Sequence, residues 1–206
     1  MKKKTCKQCK CKFEPSRPLQ MVCSYRCSIE YLKEQDKKKA KIQWSKEKKE
    51  LKEKLRTKSD YEKDLQININ TIVRLIDKGT FCHSTKKPLN DKFDAGHVFS
   101  VGGNPTIRFN LFNIYAQSVY ANQYLSGDQL NFIEVIEEVY GTDHKETVLN
   151  LRSKYKLIKL TVQDLKETIE VSKQLTKELK ALDQVYGPKT RIKLREKFNK
   201  IIGIYK

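Results

Sequence analysis

The sequence lacks an apolar run long enough to cross a membrane, and its first residues, MKKKTCKQCK, lack the apolar stretch of an export signal. We therefore expect a soluble, cytoplasmic protein with no membrane partner. In a reducing compartment its six cysteines are better explained as metal ligands than as disulfides.

Acidic residues are scarce, with 25 Asp and Glu against 43 Lys and Arg, so the net charge is +18. Such an excess predicts a polyanionic partner, because neutralising phosphates releases counterions, but it does not distinguish DNA from RNA. An anionic membrane surface is a weaker alternative, and a solvated basic surface without a partner is the remaining one.

Helix breakers are also few, with eight Gly and five Pro. Residues 28–63 contain neither and are dominated by Lys and Glu, which predicts one long, exposed, basic helix. This helix is either a spacer or a phosphate-binding surface, and the two roles are compatible. Its surface near Trp44 is a candidate contact for a homodimer.

The remaining chain alternates between helical patterns and one β-like segment. We expect helices over 64–78, ending near Gly79, over 128–158 with a break at Gly141, and from a cap at Thr161, with Asp164 nearby, onwards. Gly102 to Pro105 form a turn between two short apolar segments, which is typical of a hairpin. The predicted class is α+β, mostly helical, in four parts: a zinc module (1–30), a basic helical linker (31–63), a nuclease-like core (64–160) and a C-terminal helical region (161–206).

The N-terminal cysteines are the strongest motif. Cys6 and Cys9, followed by Cys23 and Cys27, form two close pairs that predict a tetrahedral structural Zn²⁺ site without an open position for catalysis. Cys11 is a candidate substitute ligand. Reduced thiols that bind nothing are the alternative, although the polar surroundings do not explain them by burial.

A second constellation lies between residues 94 and 127. Asp94 is the first residue and His97 the last of the sequence D-A-G-H. Asn113 follows after the Gly-rich turn, and Asn122 comes nine residues later. This is the order of a His-Asn-His nuclease motif, in which two strands and a helix hold one divalent ion beside a general base.

Each of these residues has an assignable role. His97 would accept a proton from water, and Asp94 with Asn122 would offer oxygen ligands to Mg²⁺ or Mn²⁺. Asn113 would orient the loop that carries His97, and Arg108 would contact a phosphate. Taken singly, a lone His is usually structural and an Asn near a turn usually bonds backbone, so the order and spacing carry the hypothesis.

With both elements present, the chain resembles the NinG/Rap family of lambdoid phage recombination proteins. The resemblance rests on C-K-Q-C with C-S-Y-R-C, the Lys/Glu-rich helix, and D-A-G-H, R-F-N-x-x-N-I and N-Q-x-x-S-G in order. It implies a ββα-metal core and a metal-dependent endonuclease, encoded by a phage or prophage, that acts on branched DNA such as Holliday junctions and D-loops in the host cytoplasm. The alternative is a non-catalytic, zinc-containing nucleic-acid-binding accessory protein.

The sequence also departs from that family, which commonly frames its nuclease motif with a second set of paired cysteines. Here Cys82 stands alone and residues 118–121 read S-V-Y-A, so we expect no second zinc. Packing by Phe81, Val119 and Tyr120 is expected to replace it. Tyr124 occupies a position where the family tends to have His.

Overall fold

The computed structural model describes residues 3–124 and 129–205, and the chain divides into two compact units between Arg56 and Thr57. No helix in the described part of the chain combines the length and apolar character needed to span a membrane.

The first unit is a short hairpin followed by one long helix. Its elements are β1 (Lys4–Thr5), β2 (Lys12–Phe13) and α1 (Tyr25–Lys54). The two strands pair antiparallel, and the Ser24 side chain caps α1 by accepting a hydrogen bond from the Cys27 backbone N–H. Beyond Cys27 the side chains of α1 are exposed or half-buried, in agreement with the predicted basic, solvated helix.

The prediction that one helix continues to Lys63 is wrong. The helix ends at Lys54, and a second helix begins at Lys58. The cause is a capping box, in which the Thr57 hydroxyl accepts from the Asp60 backbone N–H while the Asp60 carboxylate accepts from the Thr57 N–H at 2.9 Å. Thr57 must be extended to make these bonds, so the helix cannot run through it.

The second unit encloses a two-stranded hairpin between helices. Its elements are α2 (Lys58–Ile76), β3 (Asp94–His97), β4 (Ile114–Gln117), α3 (Val119–Tyr124), α4 (Gln129–Tyr140), α5 (Thr142–Lys154), α6 (Val162–Leu182) and α7 (Pro188–Ile202). Asp94 pairs with Gln117 and His97 with Ile114 in an antiparallel register, so the predicted hairpin around the Gly-rich turn is confirmed.

Each face of the hairpin contributes to a different apolar core. Ala95 and Ile114 belong to a core shared with α2, α6 and α7, whereas Tyr115 packs with Phe132 and Ile136 of α4. The mostly helical α+β class is confirmed, and β3, β4 and α3 follow in the predicted order of strand, strand and helix.

The C-terminal helices share the core of the predicted nuclease-like segment. α6 packs along α2, and its predicted Thr161–Asp164 capping box is present. From α7, the buried Arg195 guanidinium contacts the Asp77 carboxylate at 2.7 Å, while Asp77 accepts from the Ala116 backbone N–H at 2.9 Å. The helix α7 therefore helps to position β4.

Candidate functional site

Four cysteine sulfurs of the first unit form a cluster. The Sγ atoms of Cys6, Cys9, Cys23 and Cys27 all lie within 4.8 Å of one another, with 3.4 Å between Cys9 and Cys23. Ligand sulfurs of a tetrahedral zinc, with bonds of about 2.3 Å, lie about 3.8 Å apart. The cluster could therefore hold a metal ion such as zinc, and the exposed Cys11 lies outside it.

The backbone of the hairpin sets the position of the first thiol. The Cys6 N–H donates to the Cys11 carbonyl at 2.8 Å, the Lys10 N–H donates to the Cys6 carbonyl, and Lys10 has a φ of 62°. The Cys23 N–H donates to the Cys6 sulfur at 3.3 Å. Hydrogen bonding with the Cys9 side chain raises the pKa of Cys23 to about 12. A dication bound to the cluster would favour the thiolate form of this residue.

The backbone turn of residues 6–11 has a counterpart at residues 82–87, where Cys82 takes the place of Cys6. Its N–H donates to the Lys87 carbonyl at 2.9 Å, the Lys86 N–H donates to the Cys82 carbonyl, and Lys86 has a φ of 55°. The Ser118 N–H donates to the Cys82 sulfur at 3.3 Å, as Cys23 does in the first turn. Thr85 occupies the position that Cys9 has in the first turn. The second turn therefore has no second thiol, and backbone hydrogen bonds close it.

This arrangement corrects the expected scaffolding. Phe81 stacks on His83, with ring centroids 5.7 Å apart, but Val119 and Tyr120 are exposed. Apolar packing by the latter two does not hold the segment together. The hydrogen bond from the Ser118 N–H to the buried Cys82 sulfur holds this segment together instead.

His97 is the last residue of β3. Its Nε2 lies 2.9 Å from the Arg108 carbonyl oxygen. Because a carbonyl can only accept, Nε2 carries the proton and Nδ1 keeps its lone pair in the neutral ring. Burial lowers the pKa of His97 below its ordinary value, more than the bond to Arg108 raises it. The imidazole is therefore neutral near pH 7, as a general base must be.

Asn113 holds the segment that follows His97. Its buried side chain accepts from the Phe99 N–H at 2.9 Å and donates to the Phe99 carbonyl at 3.1 Å. Through these two bonds the Asn113 side chain pairs with the Phe99 backbone, just beyond the end of β3. The contacts are those of a positioning residue, in keeping with the orienting role that its sequence position suggested.

The two predicted oxygen ligands lie together. The Asn122 side-chain amide, on α3, donates to the Asp94 carboxylate at 2.9 Å. α3 is held by its own first turn, in which the Ser118 hydroxyl accepts from the Ala121 N–H. Carboxylate and amide oxygens are ligands that suit Mg²⁺ or Mn²⁺.

His97 lies at one end of β3, and Asp94, with Asn122 beside it, lies at the other end. At about 3.3 Å per residue, the Cα atoms of Asp94 and His97 are about 10 Å apart, and regular alternation sends their side chains to opposite faces. The strand thus carries both predicted groups without direct contact between them.

Arg108 does not present a free cation. Its guanidinium lies 3.4 Å from the Glu62 carboxylate and 3.4 Å from the Gln66 side-chain oxygen, both on α2. Its backbone carbonyl is the part that serves His97. The predicted phosphate contact stays a prediction.

A family model described as the bacteriophage lambda NinG protein matches residues 1–183. The chain belongs to the NinG family. It is 28% identical over 127 residues to protein ninG of Escherichia phage lambda, and 27% identical to protein ninG of Enterobacteria phage H19B and of Salmonella phage P22. These matches cover 61% of this chain and about 60% of the relatives' own length. No solved structure matches the chain significantly.

The NinG match includes every predicted site residue but ends before α7, which supplies Arg195. Residues 125–127, which complete the N-Q-x-x-S-G motif, lie outside the described residues.

Sequence reasoning assigned no role to Gly96 of the D-A-G-H motif. A Cβ on Gly96 would lie 1.9 Å from the Gln117 side-chain oxygen, so any larger residue there would force the buried Gln117 side chain to shift. The signal was a glycine inside a predicted strand, which often marks a close approach.

Proposed function

We propose that the chain is a metal-dependent endonuclease that cleaves DNA phosphodiesters at branched recombination intermediates, in the cytoplasm of a bacterial host. The net charge of +18 supports a nucleic-acid substrate. The order of β3, β4 and α3 agrees with a strand, strand and helix nuclease core. Membership in a phage protein family agrees with this biological setting.

The orientation of His97 is the observation that carries the proposal. The bond from Nε2 to Arg108 and the lowered pKa leave a neutral ring whose lone pair is on Nδ1. In the proposed reaction Nδ1 takes a proton from the attacking water. Asn113 keeps the chain beyond His97 in register, so that the imidazole has one orientation.

Asp94 and Asn122 would hold the catalytic ion, because their side chains already meet and both offer oxygen. An Mg²⁺ or Mn²⁺ bound there would polarise the scissile phosphate and stabilise the leaving oxyanion. The proposal also requires the DNA to bring one phosphodiester within reach of both faces of β3, because regular alternation sends the Asp94 and His97 side chains to opposite faces.

The test compares cleavage of a mobile-branch junction and of a linear duplex, with Mg²⁺ or Mn²⁺ added. His97→Ala should slow cleavage by roughly 10²- to 10⁴-fold, the usual contribution of a general base. Asn122→Ala should lose metal-dependent cleavage, whereas Gln123→Ala, an exposed change on the same helix, should not. Zinc content and circular dichroism of each variant establish that it is folded.

Equal cleavage by wild type and His97→Ala would reject the assignment of the base. If neither cleaves any substrate with either ion, the chain is not this nuclease.

The second candidate is a non-catalytic DNA- or RNA-binding accessory protein. The separation of His97 from Asp94 and Asn122 favours it, because no contact joins the base to the oxygen pair. It predicts binding that weakens steeply with salt and is unaffected by His97→Ala, without any cleaved strand.

Paired cuts across a junction would require two active sites, so we also propose a homodimer. Trp44, 62% exposed on α1, is the proposed contact. Sedimentation of wild type and Trp44→Ala tests this: a dimer that persists in the variant, or a wild-type monomer on DNA, contradicts it.

A further inference from the structure

Two tyrosines project from α3, the helix that carries Asn122. Tyr120 and Tyr124 are one helical turn apart, and their rings stack with centroids 5.5 Å apart and planes inclined by 26°. They are nonetheless 65% and 72% exposed. Most of both rings therefore faces water, although aromatic side chains usually bury their area.

The helix beneath this tyrosine pair is firmly attached. Ala121 is fully buried, Ser118 caps the first turn, and Asn122 is bonded to Asp94. At 100° per residue, Asn122 points away from the two tyrosines. One side of α3 thus carries Asn122, which contacts Asp94 of β3, while the other side presents two rings to solvent.

Unpaired nucleobases are the ligands whose chemistry fits such a surface. A base has two apolar faces, and aromatic side chains bind them by stacking with little regard to sequence. Bases inside a duplex already stack on their neighbours, so only bases released at a branch, gap or flap are available. The net charge of +18 favours the polyanionic strand that carries them.

We propose that the Tyr120–Tyr124 pair is a stacking site for an unpaired nucleobase of branched DNA. The width of a helix with its side chains, about 10–12 Å, places this base within a few nucleotides of a phosphate at Asp94 and Asn122. That location rests on the proposed nuclease function, whereas the stacking itself does not. The pair would select branched over fully paired DNA.

The experiment measures binding without added Mg²⁺ or Mn²⁺, so that cleavage does not interfere. The probe is 2-aminopurine, placed at an unpaired position of a flapped duplex or inside a fully paired duplex of the same length. Wild type should quench the unpaired probe. Tyr120→Ala and Tyr124→Ala should weaken binding of the flapped DNA by about 5- to 150-fold, the range for losing one base–aromatic stack.

Tyr120→Phe and Tyr124→Phe are the matched controls, because they keep the ring and remove only the hydroxyl. They should bind and quench as wild type does, and all variants should bind the paired duplex equally. Alanine at exposed helical positions favours helix, and circular dichroism with zinc content confirms folding.

Unchanged quenching in the alanine variants, or an equal loss on paired and flapped DNA, overturns the stacking site. Cleavage assays on the same proteins distinguish the two proposals. Quenching that depends on the tyrosines, in a protein that never cleaves, rejects the nuclease and keeps the stacking site.

Discussion

Replacing Arg195 with methionine should destabilise the second unit strongly. The Arg195 and Asp77 side chains are both fully buried, 2.7 Å apart. Arg195 also donates to the carbonyls of Leu111 and Ile114, at 3.1 and 3.2 Å. Breaking a buried pair by removing one partner costs about 3–5 kcal/mol, because the other charge stays buried. That is a large part of the roughly 5–15 kcal/mol that stabilises a typical domain.

The loss should depend on pH in a defined direction. Burial alone would raise the pKa of Asp77, but Arg195 holds the pKa below its ordinary value. Wild type therefore has this stabilisation above the unfolded pKa of Asp77 and loses it as the pH falls. Without Arg195, burial raises the pKa, so the variant is penalised most at neutral pH. The difference between the two proteins should shrink from pH 7 towards pH 4.

Urea unfolding followed by near-ultraviolet circular dichroism is the assay. The single tryptophan, Trp44, lies in the first unit, so its fluorescence reports that unit separately. With a slope of about 2 kcal/mol per molar urea, the midpoint should fall by about 2 M. Lys78→Met breaks the exposed ion pair with Asp183 and should change the midpoint little. Equal midpoints for Arg195→Met and Lys78→Met, or a pH-independent difference, would refute the reasoning.

Three further predictions concern single positions. Gly96→Ala should destabilise the second unit by about 1–3 kcal/mol in urea, since its Cβ would meet Gln117, whereas Gly102→Ala, with nothing within 4 Å, should not; equal midpoints contradict this. Burial lowers the pKa of His144 to about 4, so the protein takes up a proton when it unfolds at acid pH. The free energy of unfolding should therefore fall by roughly 3 kcal/mol between about pH 6.5 and about pH 4. If the stability of His144→Gln falls as steeply with pH as that of wild type, this cause is excluded. Cys9→Ser should abolish bound zinc by elemental analysis while Cys11→Ser keeps it, and the reverse result would reassign the ligand.

The sequence revealed features that depend on neighbouring residues. The spacing of the four N-terminal cysteines predicted their cluster, and the Thr161–Asp164 pattern predicted the start of α6. The same type of cap at Thr57 was missed because Lys and Glu surround it, so that composition suggested one continuous helix. Local rules worked where the local signal was unambiguous.

The candidate site was predicted in its parts but not in its arrangement. The contact between Asp94 and Asn122 followed from the motif order, since two strands and a helix return the chain to its start. The pairing of Arg108 with Glu62 did not, because partners 46 residues apart leave no trace in local spacing. The separation of Asp94 and His97, in contrast, follows from their positions three residues apart in one strand.

The reach of α7 has a consequence for the order of synthesis. Arg195 bonds to Asp77 across 118 residues and to Leu111 across 84, so β4 and the turn before it acquire these partners only after α7 is made. At about 5–20 residues per second, a ribosome exposes the D-A-G-H strand several seconds before its support exists. Nascent chains and C-terminal truncations should therefore contain Asp94, His97, Asn113 and Asn122 without the support that positions β4.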